Sequence, residues 1–271
     1  LFMKKIDKLL NNIDEDKYLD NEKSLSENEK EKILNMTMDK IKHVLEEALQ
    51  QDSLETKLKF LNDSIQGKVV FSTSFGFEDQ VITHAILSQH LQNIQIFTLD
   101  TGRVFPETYT TWNKTEIKYQ KKIEVFYPPT EELEHFIRDN GINPFYDSVD
   151  LRKQCCFIRK VIPLNRALNG ASVWITGLRA EQSNNRHEMH EIELDEGRNL
   201  FKLNPLIDYT TEDCFDYLKK NKVPYNTLHD NGFISIGCQP CTRAIKEGED
   251  FRAGRWWWED ESKKECGLHA K

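Results

Sequence analysis

The chain has 271 residues, 38% of them hydrophobic and 30% charged, which is enough for one large α/β domain or two small ones. Its formal net charge of −8 argues against broad binding to nucleic acids or anionic membrane surfaces. No apolar run approaches the roughly 20 residues of a membrane span, and Leu1–Lys5 lacks the apolar core of a signal peptide. We therefore expect a cytoplasmic protein, in which patterned cysteines are more often metal ligands or catalysts than disulfides.

The first 60 residues are expected to form a helical, charged N-terminal extension. Lys, Asp, Glu and Asn dominate residues 1–35 without a firm apolar stripe, so this part is expected to be frayed or weakly helical. Apolar residues recur at helical spacing from residue 36 to residue 61, which predicts one or two amphipathic helices.

Short β-type runs alternate with helical stretches from Lys68 onward, which predicts an α/β domain over residues 61–250. Strands are expected at 69–71, 94–99, 123–127, 172–176 and 200–206. Helices are expected at 78–91, from Pro106, and at 131–139, 153–168 and 211–220. This alternation implies a mostly parallel sheet flanked by helices on both faces. Residues 251–271 are expected to form a C-terminal tail.

Polar loops follow two neighbouring predicted strands. Ser72-Thr73-Ser74-Phe75-Gly76 offers hydroxyl and backbone N–H groups at a helix N-terminus, which suits an anion. Asp100-Thr101-Gly102 follows the next strand. A serine-rich turn is usually only a turn. Two polar loops at adjacent strand ends, however, make a nucleotide-binding pocket as good an interpretation as two ordinary turns. Arg179 would stand at the same edge of the sheet, although a surface-loop arginine is the plainer interpretation.

Five of the six cysteines fall in three patterned places: the pair Cys155-Cys156, the C-x-x-C of Cys238 and Cys241, and Cys266. Four thiolates in two pairs can hold one metal centre. Adjacent cysteines diverge on a helix and chelate one zinc ion awkwardly, whereas separate irons of a [4Fe–4S] cluster can each take one, so the cluster is favoured. Cys214, the sixth, is interpreted as a small buried hydrophobe.

Basic residues accompany both cysteine pairs. Lys160 lies four residues after Cys156, on the same helix face, and would offset the charge of an anionic cluster. Arg243, Arg252 and Arg255 follow the second pair and would neutralise an anionic ligand, and the tryptophans after Arg255 would anchor their segment. The polar residues before Cys266 predict a mobile lead-in to a nucleophilic thiol.

Together these motifs resemble the assimilatory sulfonucleotide reductases, the family of adenylyl-sulfate and 3′-phosphoadenylyl-sulfate reductases. The matching stretches cover residues from about 67 to 271 in family order, and the first 60 or so carry no family motif. They are Ser72–Gly76, Leu99–Thr108, Cys155-Cys156, Thr176–Ser183, Cys238–Arg243, Gly254–Glu259 and Glu265–His269.

The resemblance implies an adenine-nucleotide α-hydrolase-like (PP-loop) fold. By position, Ser72–Gly76 matches the phosphate-binding loop, Lys160 the cluster-side lysine, and Arg179, Arg252 and Arg255 the substrate-gripping arginines. It implies that Cys266 attacks the sulfur of the bound sulfonucleotide, which leaves an S-sulfocysteine and releases AMP. Thioredoxin or glutaredoxin would then free sulfite, in sulfate assimilation for cysteine biosynthesis.

The complete set of four cysteines bears on the substrate. Family members with this set hold a [4Fe–4S] cluster and prefer adenylyl sulfate, and some accept both sulfonucleotides. Adenylyl sulfate is therefore the expected substrate, with the 3′-phosphorylated form or dual specificity as the alternative.

Other classes stay open at this point. Another PP-loop enzyme, such as an ATP-sulfurylase small subunit or a tRNA-thiolation enzyme, would lack the motif around Cys266, and an acidic chain suits tRNA poorly. A zinc-stapled nucleotide-binding module would have no use for Cys266. A dissimilatory or regulatory iron–sulfur protein is disfavoured because no flavin motif is present. The sequence leaves open the oligomeric state, a homo-oligomer included, the role of residues 1–60 and the identity of the thiol donor.

Overall fold

The computed structural model describes residues 27–182 and 189–260 of the chain. Predictions about residues 1–26, 183–188 and 261–271 lie outside the described residues. They include the charged beginning of the chain, the predicted mobile tail beyond residue 260 and the predicted nucleophile Cys266.

Helices connect the strands and precede the first of them. They are α1 Glu27–Leu49, α2 Leu54–Ser64, α3 Phe77–Leu87, α4 Pro106–Tyr119, α5 Thr130–Asn140, α6 Val149–Cys156, α7 Ile162–Leu168 and α8 Thr211–Lys220. Capping fixes where two of them begin. Ser53 before α2 and Thr210 before α8 each accept a hydrogen bond from the backbone three residues later and complete a capping box.

The strands form a six-stranded sheet in the order β3-β2-β1-β4-β6-β5. They are β1 Lys68–Thr73, β2 Ile94–Leu99, β3 Glu124–Phe126, β4 Ala171–Ile175, β5 Ile192–Asp195 and β6 Leu200–Leu203. All neighbours are parallel except β5, which pairs antiparallel with β6. The predicted fold class, a mostly parallel sheet flanked by helices, is confirmed. The carboxyl ends of β1, β2 and β4 consequently meet at one edge of the sheet.

The N-terminal helices pack into the same core as the sheet. Leu45 of α1 and Leu58 of α2 are fully buried and share a hydrophobic cluster with Phe71 of β1. Alternate residues of a strand face opposite sides, so Val70 belongs to a second cluster with Trp174 on the other face. No helix of the described chain is long and apolar enough to cross a membrane.

Two elements differ from the sequence prediction. Helix α1 begins at Glu27, within the stretch expected to be frayed, and the burial of Ile41 and Leu45 against the sheet accounts for its order. Strand β5 was not predicted, because four residues at the edge of a sheet give too short a pattern to distinguish from a loop.

The predicted helix over 153–168 begins earlier, at Val149, and changes its winding in the middle. Residues Phe157–Val161 form a π-helical turn between α6 and α7. Pro163 has no N–H to donate to the carbonyl four residues back, and the N–H of Ile162 bonds to the carbonyl of Phe157 instead. The cysteine pair closes α6, immediately before this wider turn.

Candidate active site

A cavity of about 260 Å³ opens at the carboxyl ends of β1, β2 and β4. Ligands of open α/β sheets bind at this edge. The cavity is lined by the strand-end loops, by the π-helical turn and α7, and by the segments on both sides of the C-x-x-C motif. The predicted site residues in its lining are Ser72, Thr73, Ser74, Gly76, Asp100, Thr101, Lys160, Cys238, Arg252 and Arg255. Two residues predicted to bind substrate, Gly102 and Arg179, lie outside this lining.

The loop Ser72–Gly76 is held in place by Asp79 of α3. The backbone N–H and the hydroxyl of Ser74 donate to Asp79 Oδ2 at 2.5 and 2.7 Å, and Phe75 takes a left-handed φ of 61°. Burial raises the pKa of Asp79 to about 7, although the Ser74 hydrogen bonds act in the opposite direction. Gly177 allows this close approach, because a Cβ there would collide with the Asp79 carboxylate. The hydrogen bonds to Asp79 therefore hold this loop in its conformation without a contribution from a ligand.

The second polar loop connects the cavity to the cysteines. The Asp100 carboxylate accepts a hydrogen bond from the Gly102 N–H at 2.8 Å. The Thr101 hydroxyl lies 3.3 Å from Cys238 Sγ, and the Thr101 carbonyl accepts from Arg159 Nη1 at 2.6 Å. A displacement of this loop would therefore change the contact between Thr101 and Cys238 of the C-x-x-C motif.

The four predicted metal ligands meet at a second, small cavity beside the first. It is lined by Cys155, Cys156, Cys238 and Cys241 together with Arg103, Phe145, Arg152, Arg159, Lys160 and Pro240. Lys160 and Cys238 line both cavities. The two cavities therefore share part of a wall, and the predicted cluster-side lysine lies in it.

The thiols of this group have unequal acidities. Burial opposes ionisation of Cys238, but Lys160 and the hydrogen bond from Thr101 outweigh it, and the pKa of Cys238 is lowered. Burial raises the pKa of Cys241 to about 12 and also raises that of Cys155. Within residues 27–182 and 189–260, no group of three or more His, Cys, Asp or Glu side chains is arranged to hold a metal ion.

Arg252 and Arg255 flank the buried indole of Trp256. The guanidinium carbons lie 5.9 and 4.7 Å from the centre of this ring, within cation–π range. Arg255 also lies directly over Gly237, where any side chain would collide with the guanidinium. With Lys160, these arginines place positive charge on the cysteine side of the cavity. The carboxylates in its lining, Glu78, Asp79 and Asp100, come from the strand-end loops and from α3.

Arg179 is fully buried and its guanidinium is held by protein groups. Nε and Nη2 donate to Glu78 Oε1 at 3.2 and 3.0 Å, and Nη1 donates to Glu181 at 2.5 Å and to the Tyr209 carbonyl at 3.0 Å. Burial raises the pKa of Glu78 against the opposing effect of Arg179. Arg179 therefore supports a carboxylate of the cavity wall, and its contact with substrate stays a prediction.

His229 lines the cavity and was missed by the sequence analysis. Its Nδ1 lies 2.7 Å from the Phe233 carbonyl, which can only accept, so Nδ1 carries the proton and Nε2 is an acceptor. Burial lowers the pKa of His229 to about 4. A lone histidine in a loop carries no spacing pattern in the sequence. Only the folded structure, which packs its ring 5.0 Å from the Phe77 ring, shows that it lies at the cavity.

The site thus defines an α/β protein with a nucleotide-sized cavity, cationic on one side, and a thiol-rich centre alongside. Comparison with known proteins places it more closely. Residues 68–244 match the phosphoadenosine phosphosulfate reductase domain, and the chain belongs to this family. The predicted resemblance is confirmed.

Individual relatives agree with this assignment. The chain is 52% identical over 202 residues to adenosine 5′-phosphosulfate reductase of Burkholderia cepacia, covering 74% of this chain and 80% of that protein. It is 47% identical over 232 residues to the protein of the same name from Sinorhizobium fredii (strain USDA 257), covering 80% and 92%. The crystal structure of phosphoadenylyl-sulfate (PAPS) reductase from Candida auris, a phosphate complex, superposes with a TM-score of 0.62 at 26% identity, over 82% of this chain and 98% of that one.

Proposed function

We propose that this protein is an adenylyl-sulfate reductase that forms sulfite and AMP, with thioredoxin or glutaredoxin as reductant. One observation carries the proposal: the cavity at the strand ends shares a wall, formed by Lys160 and Cys238, with a cavity lined by four cysteines. The names of the bacterial relatives, adenosine 5′-phosphosulfate reductases at 47–52% identity, support the same substrate.

The charges of the cavity support an orientation for the substrate. The phosphosulfate end carries the negative charge, so it belongs beside Lys160, Arg252 and Arg255, within reach of the predicted phosphate-binding loop Ser72–Gly76 in the same cavity lining. Sulfur in a sulfate group is shielded by anionic oxygens, and preorganised cations reduce the repulsion that an incoming thiolate meets.

Cys266 is proposed as the nucleophile. Its thiolate forms a bond to the sulfonyl sulfur while the bond from that sulfur to the phosphate oxygen breaks, and AMP leaves with the electron pair. A thiolate of the reductant then attacks Cys266 Sγ, so sulfite leaves with the electron pair of the S–S bond. The second thiol of the reductant resolves the mixed disulfide, the reductant becomes a disulfide, and the Cys266 thiol is restored.

The four cysteines are proposed to hold a [4Fe–4S] cluster. All four line one small cavity among basic side chains. Cys155 and Cys156 are adjacent on one helix, so their side chains diverge, which suits a centre with several metal atoms, each taking one thiolate, better than one zinc ion. When bound, the cluster supplies a compact anionic centre beside Lys160.

Sulfite release tests the function. Anaerobically purified protein should contain about four irons per chain and should release sulfite from adenylyl sulfate when thioredoxin is present. Cys266→Ser should keep its iron and bind nucleotide but form no sulfite, while wild-type protein without thioredoxin should gain one SO₃ group on Cys266. Cys214→Ser is the matched control, because this buried thiol has its pKa raised to about 12 and should not react. Turnover by Cys266→Ser would assign the reaction to another thiol.

The preferred substrate is decided by a direct comparison. The specificity constants for adenylyl sulfate and its 3′-phosphorylated form measure discrimination between them. We expect the constant for adenylyl sulfate to be the larger, and a clear preference for the phosphorylated form would assign the protein to the other branch of its family.

A further inference from the structure

A buried ion pair joins the helix of the cysteine pair to the segment that follows the cavity arginines. Arg152 Nε and Nη2 donate to the two carboxylate oxygens of Glu259 at 3.0 and 2.7 Å. The Arg152 side chain is 0% exposed and that of Glu259 is 3% exposed. A bidentate pair of this kind fixes orientation as well as distance. It ties the end of the segment 252–259 to α6.

The C-x-x-C loop holds the middle of the same segment. The backbone N–H of Trp256 donates to the backbone carbonyl of Cys241 at 3.2 Å, and Thr242 forms an antiparallel bridge with Arg255. The C-x-x-C loop therefore holds the segment through backbone hydrogen bonds, and α6 holds it through the ion pair of Arg152.

Trp256 links the ion pair to the cavity. Its φ of 42° is left-handed, a conformation that a bulky residue keeps only where its surroundings impose it. The Arg152 guanidinium carbon lies 4.6 Å from the centre of its ring, which Arg252 and Arg255 also contact. The indole is thus shared by the arginine of the ion pair and by both cavity arginines.

Stability alone does not account for such a pair. Burying two charges carries a large desolvation cost, and well-packed apolar residues in their place are often as stable or more stable. What the charged pair adds is a defined geometry for the groups attached to it.

We propose that Arg152 and Glu259 are positioning residues that hold Arg252 and Arg255 towards the anionic end of the bound sulfonucleotide. The proposal rests on the proposed function, because it assumes that these arginines receive the phosphosulfate. AMP lacks the sulfo group, so the pair should matter more for adenylyl sulfate than for AMP.

The test uses the full chain with its metal centre, in a Cys266→Ser background and without reductant. Glu259→Gln should raise the dissociation constant for adenylyl sulfate at least tenfold and that for AMP less than threefold. Hydrogen exchange of the backbone amides in 252–259 should accelerate at least tenfold. Arg152→Lys should act in the same direction but more weakly, because lysine keeps the charge and loses the fork.

A surface pair in the same region provides the matched control. Arg243 donates to both oxygens of Glu249 at 2.8 and 3.0 Å, but these side chains are 34% and 30% exposed. Glu249→Gln should leave both dissociation constants and the exchange of 252–259 unchanged.

A double variant guards against simple misfolding. Arg152→Met with Glu259→Leu should keep the wild-type thermal midpoint, since apolar side chains replace the charges, yet retain the weakened binding of adenylyl sulfate. Full recovery of binding in this variant, or an equal loss for both nucleotides in Glu259→Gln, would reduce the pair to a structural element and overturn the proposal. Sulfite formation by the wild-type protein tests the underlying function separately.

Discussion

Arg255 reaches the cavity because the residue beneath it has no side chain. A Cβ at Gly237 would lie 2.3–2.7 Å from three atoms of the Arg255 guanidinium, so an alanine there would force this cation to move. Gly237, which itself lines the cavity, therefore lets Arg255 keep its place in the same lining.

Gly237→Ala is expected to lower kcat/KM for sulfonucleotide reduction by about 10–100-fold, because a charge-assisted contact contributes about 1.5–3 kcal/mol. Steady-state kinetics with thioredoxin measures this. Gly197→Ala is the control, since a Cβ in that turn would meet its nearest neighbour, Asp195 Oδ1, at an ordinary 3.6 Å. An unchanged kcat/KM in Gly237→Ala would show that Arg255 is not needed at its present position.

Asp79 gives the protein a pH-dependent stability. Its pKa of about 7 in the folded chain, compared with an ordinary 3.8, means that the folded state binds more protons between these two pH values. The free energy of unfolding should therefore fall as the pH rises from about 4 to about 7, by at most ~1.4 kcal/mol per pH unit for this one group. Urea titrations should show a smaller fall for Asp79→Asn. Parallel curves for the two proteins would mean that Asp79 is ionised throughout this range.

At the scale of elements, Arg179 ties the loop after β4 to the beginnings of α3 and α8. Its guanidinium bonds to Glu78 of α3 and, at 3.1 Å, to the hydroxyl of Thr211 in α8. The family resemblance predicts that Arg179 binds substrate. In the structure, its hydrogen bonds connect three elements of the fold, and their contribution to stability can be measured.

Arg179→Met is expected to lower the free energy of unfolding by about 3–5 kcal/mol, because it leaves the buried Glu78 charge uncompensated. The deficit should shrink at acid pH, where Glu78 can take up a proton. Arg243→Met, which breaks a surface pair, should cost about 1 kcal/mol or less. A loss of kcat/KM without any loss of stability would instead favour direct contact of Arg179 with substrate.

The sequence predicts this architecture well where a pattern is long. Each parallel strand that contributes to the cavity is preceded or followed by a recognisable helix. The helix predicted over 211–220 is present with these bounds, but its N-cap is Thr210 and not the predicted Thr211. Strand β5 could not be predicted, because its four residues are stabilised by pairing with β6 at the edge of the sheet and carry no strand pattern of their own.

Side-chain partners across the fold are less predictable. The four cysteines announce themselves by spacing, but Arg152 and Glu259 lie 107 positions apart, and nothing in either local sequence marks them as a pair. His229 and Arg179 illustrate the same limit, since a single polar residue acquires its role only from the elements packed around it. The predicted role of Cys266 depends on residues beyond the described chain and stays a prediction.

At the scale of the whole molecule, the N-terminal helices and the sheet share one core. The matched reductase domain begins at residue 68, yet Leu45 and Leu58 are fully buried in the cluster that includes β1 and α3. Hydrophobic contact of this extent couples the stability of α1 and α2 to that of the nucleotide-binding sheet. The predicted division at residue 60 separates a part of the chain without family motifs from a part that has them. Whether the two parts also unfold separately can be tested.

Leu45→Ala and Leu58→Ala are each expected to lower the free energy of unfolding by about 2–5 kcal/mol, the usual effect of emptying a buried leucine site. Circular dichroism, which follows the helices, and tryptophan fluorescence, which follows Trp174 in β4 among others, should report the same midpoint in urea. Met36→Ala is the matched control on α1, because Met36 is 53% exposed and its removal should change stability by about 0.5 kcal/mol or less. An early loss of helical signal in Leu45→Ala, with the fluorescence midpoint unchanged, would show that residues up to about 60 unfold as a separate unit.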